Sequence, residues 1–308
     1  MSKETTVIEI TSFNSSEGFN VLQFKTSKST PLDIILLDEA LQKGFIEIQE
    51  LSESGSVNEI TVINKSPHLV FLMDGDLLQG AKQNRVLNTS VLLAPHSTTI
   101  LPVSCVEQGR WNYRSARFTS VNRVSPADLR KEKARQVTSS RRTDNSARSD
   151  QGKVWEKVHY YSEKFKVRSG TSDLNELSDN MPNFNRSSFF DFQSNLKADP
   201  EATGVCLIHN GKVLSLDNFN SSKMLSYYLP KILSGIAMDV YQSSSSTSLN
   251  KKDSEALCRK MLADLETSQA TEHPGVGCGT EKRFTAPMKL GFELKLEDSS
   301  VHFTGFQE

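Results

Sequence analysis

The sequence predicts an α+β protein: a β-rich N-terminal sandwich or barrel, a basic helical middle segment and a C-terminal α/β module. Three observations predict it. Short alternating, β-branched stretches recur through the first ~120 residues. From about Asn122 the texture turns rich in Lys and Arg and takes on helical spacing. Beyond Ala202 an Asn-Gly hairpin signal is followed by two helical stretches and two closing strand patterns. The expected divisions are a β-rich domain at 1–122, a basic helical segment with mobile loops at 123–200, and an α+β module at 201–308 packed on the first. A chain of 308 residues accommodates more than one core.

The elements follow in order. Val7–Ile10, Phe19–Phe24, Phe45–Ile48 and Glu59–Asn64 alternate apolar and polar residues, as half-buried strands do. A short helix is expected over Asp33–Lys43. Leu69–Met73, Val86–Leu93 and Thr98–Val106 complete the strand set, with Pro67, Gly75, Gly80, Pro95 and Gly109 as turns or bulges. Ser125-Pro126 reads as an N-cap and first helical residue, opening a helix through about Thr138. Ser139–Gly152 has almost nothing apolar and reads as a mobile loop. Val154, Trp155, Val158, Tyr161 and Phe165 then mark an amphipathic helix from Gln151 to Phe165. Ser169–Asn183 reads as a loop and Ser187–Leu196 as a short helix. Gly204–Ile208 and Lys212–Leu216 flank Asn210-Gly211 as a hairpin. Helices are expected over Ser222–Tyr241, with Pro230 at a first turn or kink, and over Asp253–Thr267. A serine-rich linker, Ser243–Leu249, joins them. Strands at Lys289–Leu296 and Ser300–Phe306 close the chain.

Composition excludes some classes. The net charge is −1 and 36% of residues are hydrophobic, so the chain is neither a polycation nor disordered throughout. No stretch reaches the ~20 apolar residues that a membrane helix needs. The start of the chain has no apolar export signal, and the four cysteines (105, 206, 258, 278) show no Cys-x-x-Cys spacing. They read as reduced thiols of a cytoplasmic protein with no membrane partner.

The densest polar chemistry lies between Asp74 and Trp111. Lys82-Gln83-Asn84-Arg85 follows Gly80, and Cys105-Val106-Glu107-Gln108-Gly109-Arg110-Trp111 comes about twenty residues later. On a strand, Lys82 and Asn84 would face one side, and Gln83 and Arg85 the other. One pair then addresses an anionic or amide-rich ligand, or the amides satisfy backbone beside a bulge. Glu107 is a general base, or the ion-pair partner of Arg85 or Arg110. Cys105 is poorly activated beside Glu107, since a negative neighbour raises a thiol pKa. It precedes Arg110 with one residue too few for a Cys-x5-Arg phosphatase loop. Trp111 stacks on a base or closes the core. His68, Asp74, Asp76, His96, Cys105 and Glu107 include metal-ligand types, but no metal-ligand spacing exists, so no metal is expected. Asp74-Gly75-Asp76 opens like a calcium loop, but Leu77-Leu78 follows where oxygen ligands are needed. Pro274–Arg283 is glycine-rich without a phosphate-loop sequence. From Arg110 to Lys153 there are 12 Lys and Arg against 4 Asp and Glu, a possible nucleic-acid surface or a solvated helix with a basic loop. Trp111, Tyr113 and Phe118 interleave with its first arginines.

Two strings, Gly80-Ala81-Lys82-Gln83-Asn84-Arg85-Val86-Leu87-Asn88 and Ile100-Leu101-Pro102-Val103-Ser104-Cys105-Val106-Glu107-Gln108-Gly109-Arg110-Trp111, resemble the ARG and rhodanese-phosphatase-superfamily-associated domain family. Gln151–Trp155 and the hairpin Gly204–Phe219 look like that family too, and the resemblance covers most of the chain. Ser139–Ala147 and Ser243–Thr247 depart from it as low-complexity stretches. The resemblance implies a context of ADP-ribosylglycohydrolases and phosphatases, hence ADP-ribose or nucleotide metabolism, without a mechanism or a named cofactor. The leading expectation is binding, with or without processing, of a nucleotide-derived anionic small molecule such as ADP-ribose. Lys82 and Arg85 then contact phosphate. Gln83, Asn84 and Asn88 read amide or ribose groups. Glu107 orients the ligand or acts as base, Arg110 supports Glu107, and Trp111 stacks. The alternative is a non-catalytic interaction protein whose basic helical segment contacts RNA or an acidic protein.

Overall fold

The computed structural model describes residues 6–26, 30–182, 186–241 and 247–308. The serine-rich stretch lies outside them as far as residue 246. The chain is α+β and forms two compact units, both discontinuous in sequence. One comprises Met1–Leu32, Asn183–His273 and Thr280–Glu308; the other comprises Asp33–Pro182 and Pro274–Gly279.

The first unit begins with β1 (Ile8–Ser16) and β2 (Phe19–Thr26), an antiparallel pair. The second unit then runs through β3 (Ile34–Leu36), α1 (Leu37–Gln42), β4 (Ile46–Glu50), β5 (Glu59–Asn64), β6 (Leu69–Leu72), β7 (Asp76–Gly80), β8 (Arg85–Leu87), β9 (Val91–Leu93), β10 (Ser97–Cys105), β11 (Phe118–Val124), α2 (Ala127–Asp144), α3 (Gln151–Phe165) and α4 (Leu174–Asp179). One sheet has the order β11-β7-β8-β10-β5-β4, with antiparallel neighbours throughout. Alternation along β4 and β5 sends Ile46, Ile48, Ile60 and Val62 inward. There they join Val70, Leu72, Val91 and Leu93 of the other sheet in one core, and the sheets curl into a half-barrel. Each such side chain, fully buried, contributes ~1.5–3 kcal/mol.

Several segments differ from sequence expectation: α4 and the strand Val276–Gly277 form inside stretches read as loop, the strand expected over Val86–Leu93 divides between β8 and β9, and two further differences have clear causes. Ile34-Ile35-Leu36 do not open a helix; they form β3, which pairs in parallel with β6, and only six helical residues follow. β-branched residues next to an available strand edge favour the ladder over a helical turn. The helix from Ala127 also runs on to Asp144, through half of the expected mobile loop. The buried Arg141 guanidinium donates to the Asn145 and Pro274 carbonyls, and Thr143 Oγ1 to the Ser139 carbonyl. Pro126, not Ser125, occupies the N-cap, with no side-chain cap bond. The expected helix Gln151–Phe165 forms with those bounds, its N-cap Asp150 accepting from the Gly152 and Lys153 amides.

The first unit resumes with α5 (Arg186–Asn195), β12 (Gly204–His209), β13 (Lys212–Phe219), α6 (Ser222–Val240), α7 (Lys251–Glu266) and β14 (Gln269–Pro274). After β15 (Val276–Gly277), which pairs in parallel with β9 of the second unit's four-stranded sheet β15-β9-β6-β3, it closes with β16 (Thr280–Ala286), β17 (Lys289–Leu296) and β18 (Ser299–Gln307). Its eight-stranded sheet has the order β1-β2-β12-β13-β18-β17-β16-β14. The Asn210-Gly211 turn, with φ of 49° and 76°, closes the β12–β13 hairpin. Leu22, Phe24, Cys206, Leu216 and Phe303 pack against Met261, Leu262 and Leu265 of α7. Pro230 lies inside α6. No helix among the described residues is long and apolar enough to cross a membrane.

Candidate functional site

β7 ends at Gly80, and the chain turns through Ala81, with φ of 38°, before re-entering β8 at Arg85. Lys82, Gln83 and Asn84 therefore sit in a turn, where strand alternation does not set their directions. All three side chains are buried, and so is Arg85. Lys82 Nζ donates to the Glu53 and Ser54 carbonyls at 2.5 and 2.9 Å. Arg85 donates to Gln83 Oε1 at 2.9 Å, to the Ser56 carbonyl at 3.1 Å and to Cys105 Sγ, and lies 3.5 Å from Glu50 Oε2. Gln83 Nε2 donates to the Gln108 carbonyl. Asn84 Nδ2 donates to Asp173 Oδ2 at 3.0 Å, while its Oδ1 accepts from the Gly80 amide.

Glu107 is fully buried just past the end of β10. Its carboxylate accepts from Arg110 Nε (2.8 Å), the Asn84 amide (3.1 Å) and Thr171 Oγ1 (3.0 Å), and Arg110 Nη2 stands 2.6 Å away. Burial alone raises its pKa; the hydrogen bonds and charge of Arg110, with the Asn84 and Thr171 bonds, outweigh burial and hold it below the usual carboxylate value. Arg110 also donates to the carbonyls of Gly80, Ala81 and Asn112. The pair thus clamps the 80–84 turn to the strand end. A carboxylate so engaged and so acidic is a poor proton acceptor. Burial pushes the Cys105 thiol up to about 11, against the pull of Arg85, so it is protonated near neutral pH.

Asn88 lies apart from this network, accepting from Ser104 Oγ and donating to the Ala147 carbonyl. Beside it the Asp74-Gly75-Asp76 turn packs on α2. Arg130 grips Asp74 through two bonds, of 2.9 and 3.0 Å, and Asp76 accepts from the Met73 amide. Lys133 donates to the Leu87 carbonyl, and burial lowers its pKa to about 7 despite nearby Asp74. Several cations of the basic stretch are therefore engaged inside the unit. Others pair with close acids: Lys131 with Asp128, Arg135 with Glu132, Arg148 with Asp144 and Lys153 with Glu156.

The exposed chemistry lies on the loop after Arg110. Trp111 is 40% and Tyr113 52% exposed. Lys82 Nζ lies 5.4 and 5.1 Å from their ring centroids, and the Arg85 guanidinium 5.5 Å from Trp111. The rings are thus held from the protein side by cations. Glu53, Tyr113, Arg114, Ser115 and Ala116 line an open depression of about 770 Å³. The Arg114 side chain is 57% exposed, with its Nη2 3.5 Å from the Glu107 carboxylate. Its amide donates to the Ala81 carbonyl, which ties the loop back to the turn.

Two amides of the glycine-rich segment are engaged by backbone carbonyls. Gly275 donates to the Gly279 carbonyl and Cys278 to the Leu92 carbonyl. Among the described residues no group of three or more His, Cys, Asp or Glu is placed to hold a metal ion. The structure brings Lys82, Gln83, Asn84, Arg85, Glu107, Arg110 and Trp111 together and leaves Asn88 outside. It adds Glu50, Gln151, Thr171 and Asp173, which sequence reading does not single out. Gln151 brackets Cys105 by accepting from its amide and donating to its carbonyl. Their signal is a tertiary one, since β4, α3 and the segment before α4 meet the turn only on folding. For Tyr113 and Arg114 the signal was the interleaving of aromatics with arginines.

A family model described as the ARG and Rhodanese-Phosphatase-superfamily-associated Protein domain matches residues 7–306. Neither a curated protein nor a solved structure matches the chain.

Proposed function

The chain belongs to the ARG and Rhodanese-Phosphatase-superfamily-associated family, and from that premise we propose that its second unit binds a nucleotide-derived anionic small molecule, of which ADP-ribose is the example to try first. The observation that carries this reading is the half-exposed pair Trp111 and Tyr113, cation-backed and set beside Arg114 at an open depression. Aromatic faces accept a base by stacking, at ~1–3 kcal/mol per base. An exposed guanidinium binds phosphate by donating paired hydrogen bonds to its oxygens. In this reading Lys82–Arg85 and Glu107–Arg110 hold the loop in shape, and binding needs no proton transfer by Glu107. The contact of α2 with RNA or an acidic partner draws less support, because most of its cations are buried or paired.

The test is a thermal-shift series on the full chain with ADP-ribose, ADP, NAD, ribose 5-phosphate and a short single-stranded RNA. A ligand that binds only the folded state raises the melting point. The expected result is a rise with ADP-ribose or a mononucleotide, lost in Tyr113→Ala and Arg114→Gln. No rise at millimolar concentrations with any nucleotide overturns the reading, as does a rise with RNA alone that survives both substitutions.

A further inference from the structure

Beneath the Trp111 indole the protein keeps two cations, Lys82 held by backbone carbonyls and Arg85 held by one backbone carbonyl beside the side chains of Gln83, Cys105 and Glu50. Lys82 Nζ is met by the carbonyls of Glu53 and Ser54, and Arg85 by that of Ser56. All three oxygens come from the eight residues 51–58, a strap between β4 and β5 that is neither helix nor strand. Glu50 offsets part of the positive charge: its Oε1 accepts from the Lys82 amide, and its Oε2 lies 3.5 Å from Arg85. The fit is incomplete, since Arg85 Nε and Glu50 Oε2 are both buried without a hydrogen-bond partner.

We propose that Lys82 and Arg85 form a phosphate or pyrophosphate subsite that the protein holds shut, with the carbonyls of Glu53, Ser54 and Ser56 standing in for the oxygens of the anion and Trp111 as the lid. The bonds from Lys82 and Arg85 are already charge-assisted on the donor side, and replacing neutral carbonyl acceptors by anionic oxygens adds ion–ion attraction to them. The unsatisfied Arg85 Nε–H supplies a further donor to the incoming anion. The lid is hung to move. Arg110 holds the Gly80, Ala81 and Asn112 carbonyls and the Arg114 amide holds the Ala81 carbonyl, so the backbone beside Trp111 is fixed and the motion is a swing of the indole side chain. The stretch between the two anchors carries the indole. The strap is fitted closely against it: Gly55 has φ of 76°, and a Cβ there would lie 3.1 Å from Trp111 Cζ2 and 3.2 Å from Lys82 Cδ. Only glycine takes both that backbone and that contact without displacement. Because Tyr113 lies beside Lys82, an anion seated on the two cations can carry a base onto the exposed tyrosine ring. This subsite rests on the same loop as the function proposed above, but inorganic pyrophosphate has no base and probes it separately.

A closed site lowers apparent affinity by the fraction of time it is open. Calorimetric titration of the full chain with inorganic pyrophosphate therefore tests the idea. Trp111→Ala is expected to bind pyrophosphate about tenfold more tightly than wild type, and adding Lys82→Gln is expected to abolish the gain. Gly55→Ala, which pushes lid and strap apart, is expected to raise affinity in the same direction. It gives a second route if Trp111→Ala fails to fold by circular dichroism. In Trp155→Phe, Trp111 is the sole tryptophan, and saturating pyrophosphate is expected to shift its emission to the red as the indole leaves its cations. The proposal is overturned if neither Trp111→Ala nor Gly55→Ala gains affinity, if the gain survives Lys82→Gln, or if Trp111 emission does not move. Tyr113→Ala separates the two readings: it should weaken nucleotides and leave pyrophosphate unchanged.

Discussion

At Glu107 three groups, Arg110, the Asn84 amide and the Thr171 hydroxyl, donate to one buried carboxylate, and that surrounding decides its role. The residue types were legible: Glu107 and Arg110 sit three apart, and an ion pair between them was one of the readings the sequence offered. The Asn84 amide and Thr171 hydroxyl were not, because both reach Glu107 only through the fold. Glu107→Gln leaves Arg110 buried without its counter-charge, which costs ~3–5 kcal/mol; denaturant unfolding measures it. Glu107 has a folded pKa below its ordinary 4.5. Its contribution is therefore present above that value and lost as pH falls through the folded one. Lys133 makes the opposite kind of prediction. Its pKa falls from 10.5 unfolded to about 7 folded, so between those values the unfolded chain binds more protons and stability rises with pH. The rise reaches at most ~1.4 kcal/mol per pH unit. From pH 9 to about 11 the Cys105 thiol works against it, so the clean window is pH 7 to 9. Melting curves across that window should be steeper in pH for wild type than for Lys133→Met. Parallel curves would show that Lys133 does not titrate there.

At the scale of elements, periodicity and turn chemistry placed most helices and strands. The strand Glu59–Asn64, the helix Gln151–Phe165 and the strand Lys289–Leu296 form with the expected bounds. Three misses share one cause, partners distant in sequence. Ile34–Leu36 become a strand because β6 lies alongside. Residues 139–144 stay helical because Arg141 is anchored to Asn145 and Pro274. Val276–Gly277 becomes a strand because β9 offers its edge. Gly277 has φ of 84°, and a Cβ there would fall 2.2 Å from the Leu92 carbonyl oxygen. Gly277→Ala should therefore destabilise the second unit by ~1–3 kcal/mol through strain and loss of the β15–β9 pair. A chemical denaturation midpoint unchanged from wild type would show that the close approach carries no energy.

For the whole molecule, the α+β class followed from counting patterns, and the mixture of β-rich and helical stretches is what the chain shows. The joining of β1 and β2 to the sheet of β12, β13 and β16–β18 was not legible. Alternation says which face of a strand is buried, and it does not say which strand lies beside it. The same limit applies to the site. The Asp74–Trp111 run was visible as dense polar chemistry, yet only folding separates its buried clamp from its exposed rim. On the proposed function, this rim, Trp111, Tyr113 and Arg114 over the Lys82–Arg85 and Glu107–Arg110 clamp, binds a nucleotide-derived anion. Calorimetric titration of the full chain with ADP-ribose tests it most directly. Saturable binding that weakens about tenfold or more in Tyr113→Ala, in line with one stacked base, and likewise in Arg114→Gln, is the predicted result. No binding at millimolar ligand, or equal affinity in all three proteins, would contradict it.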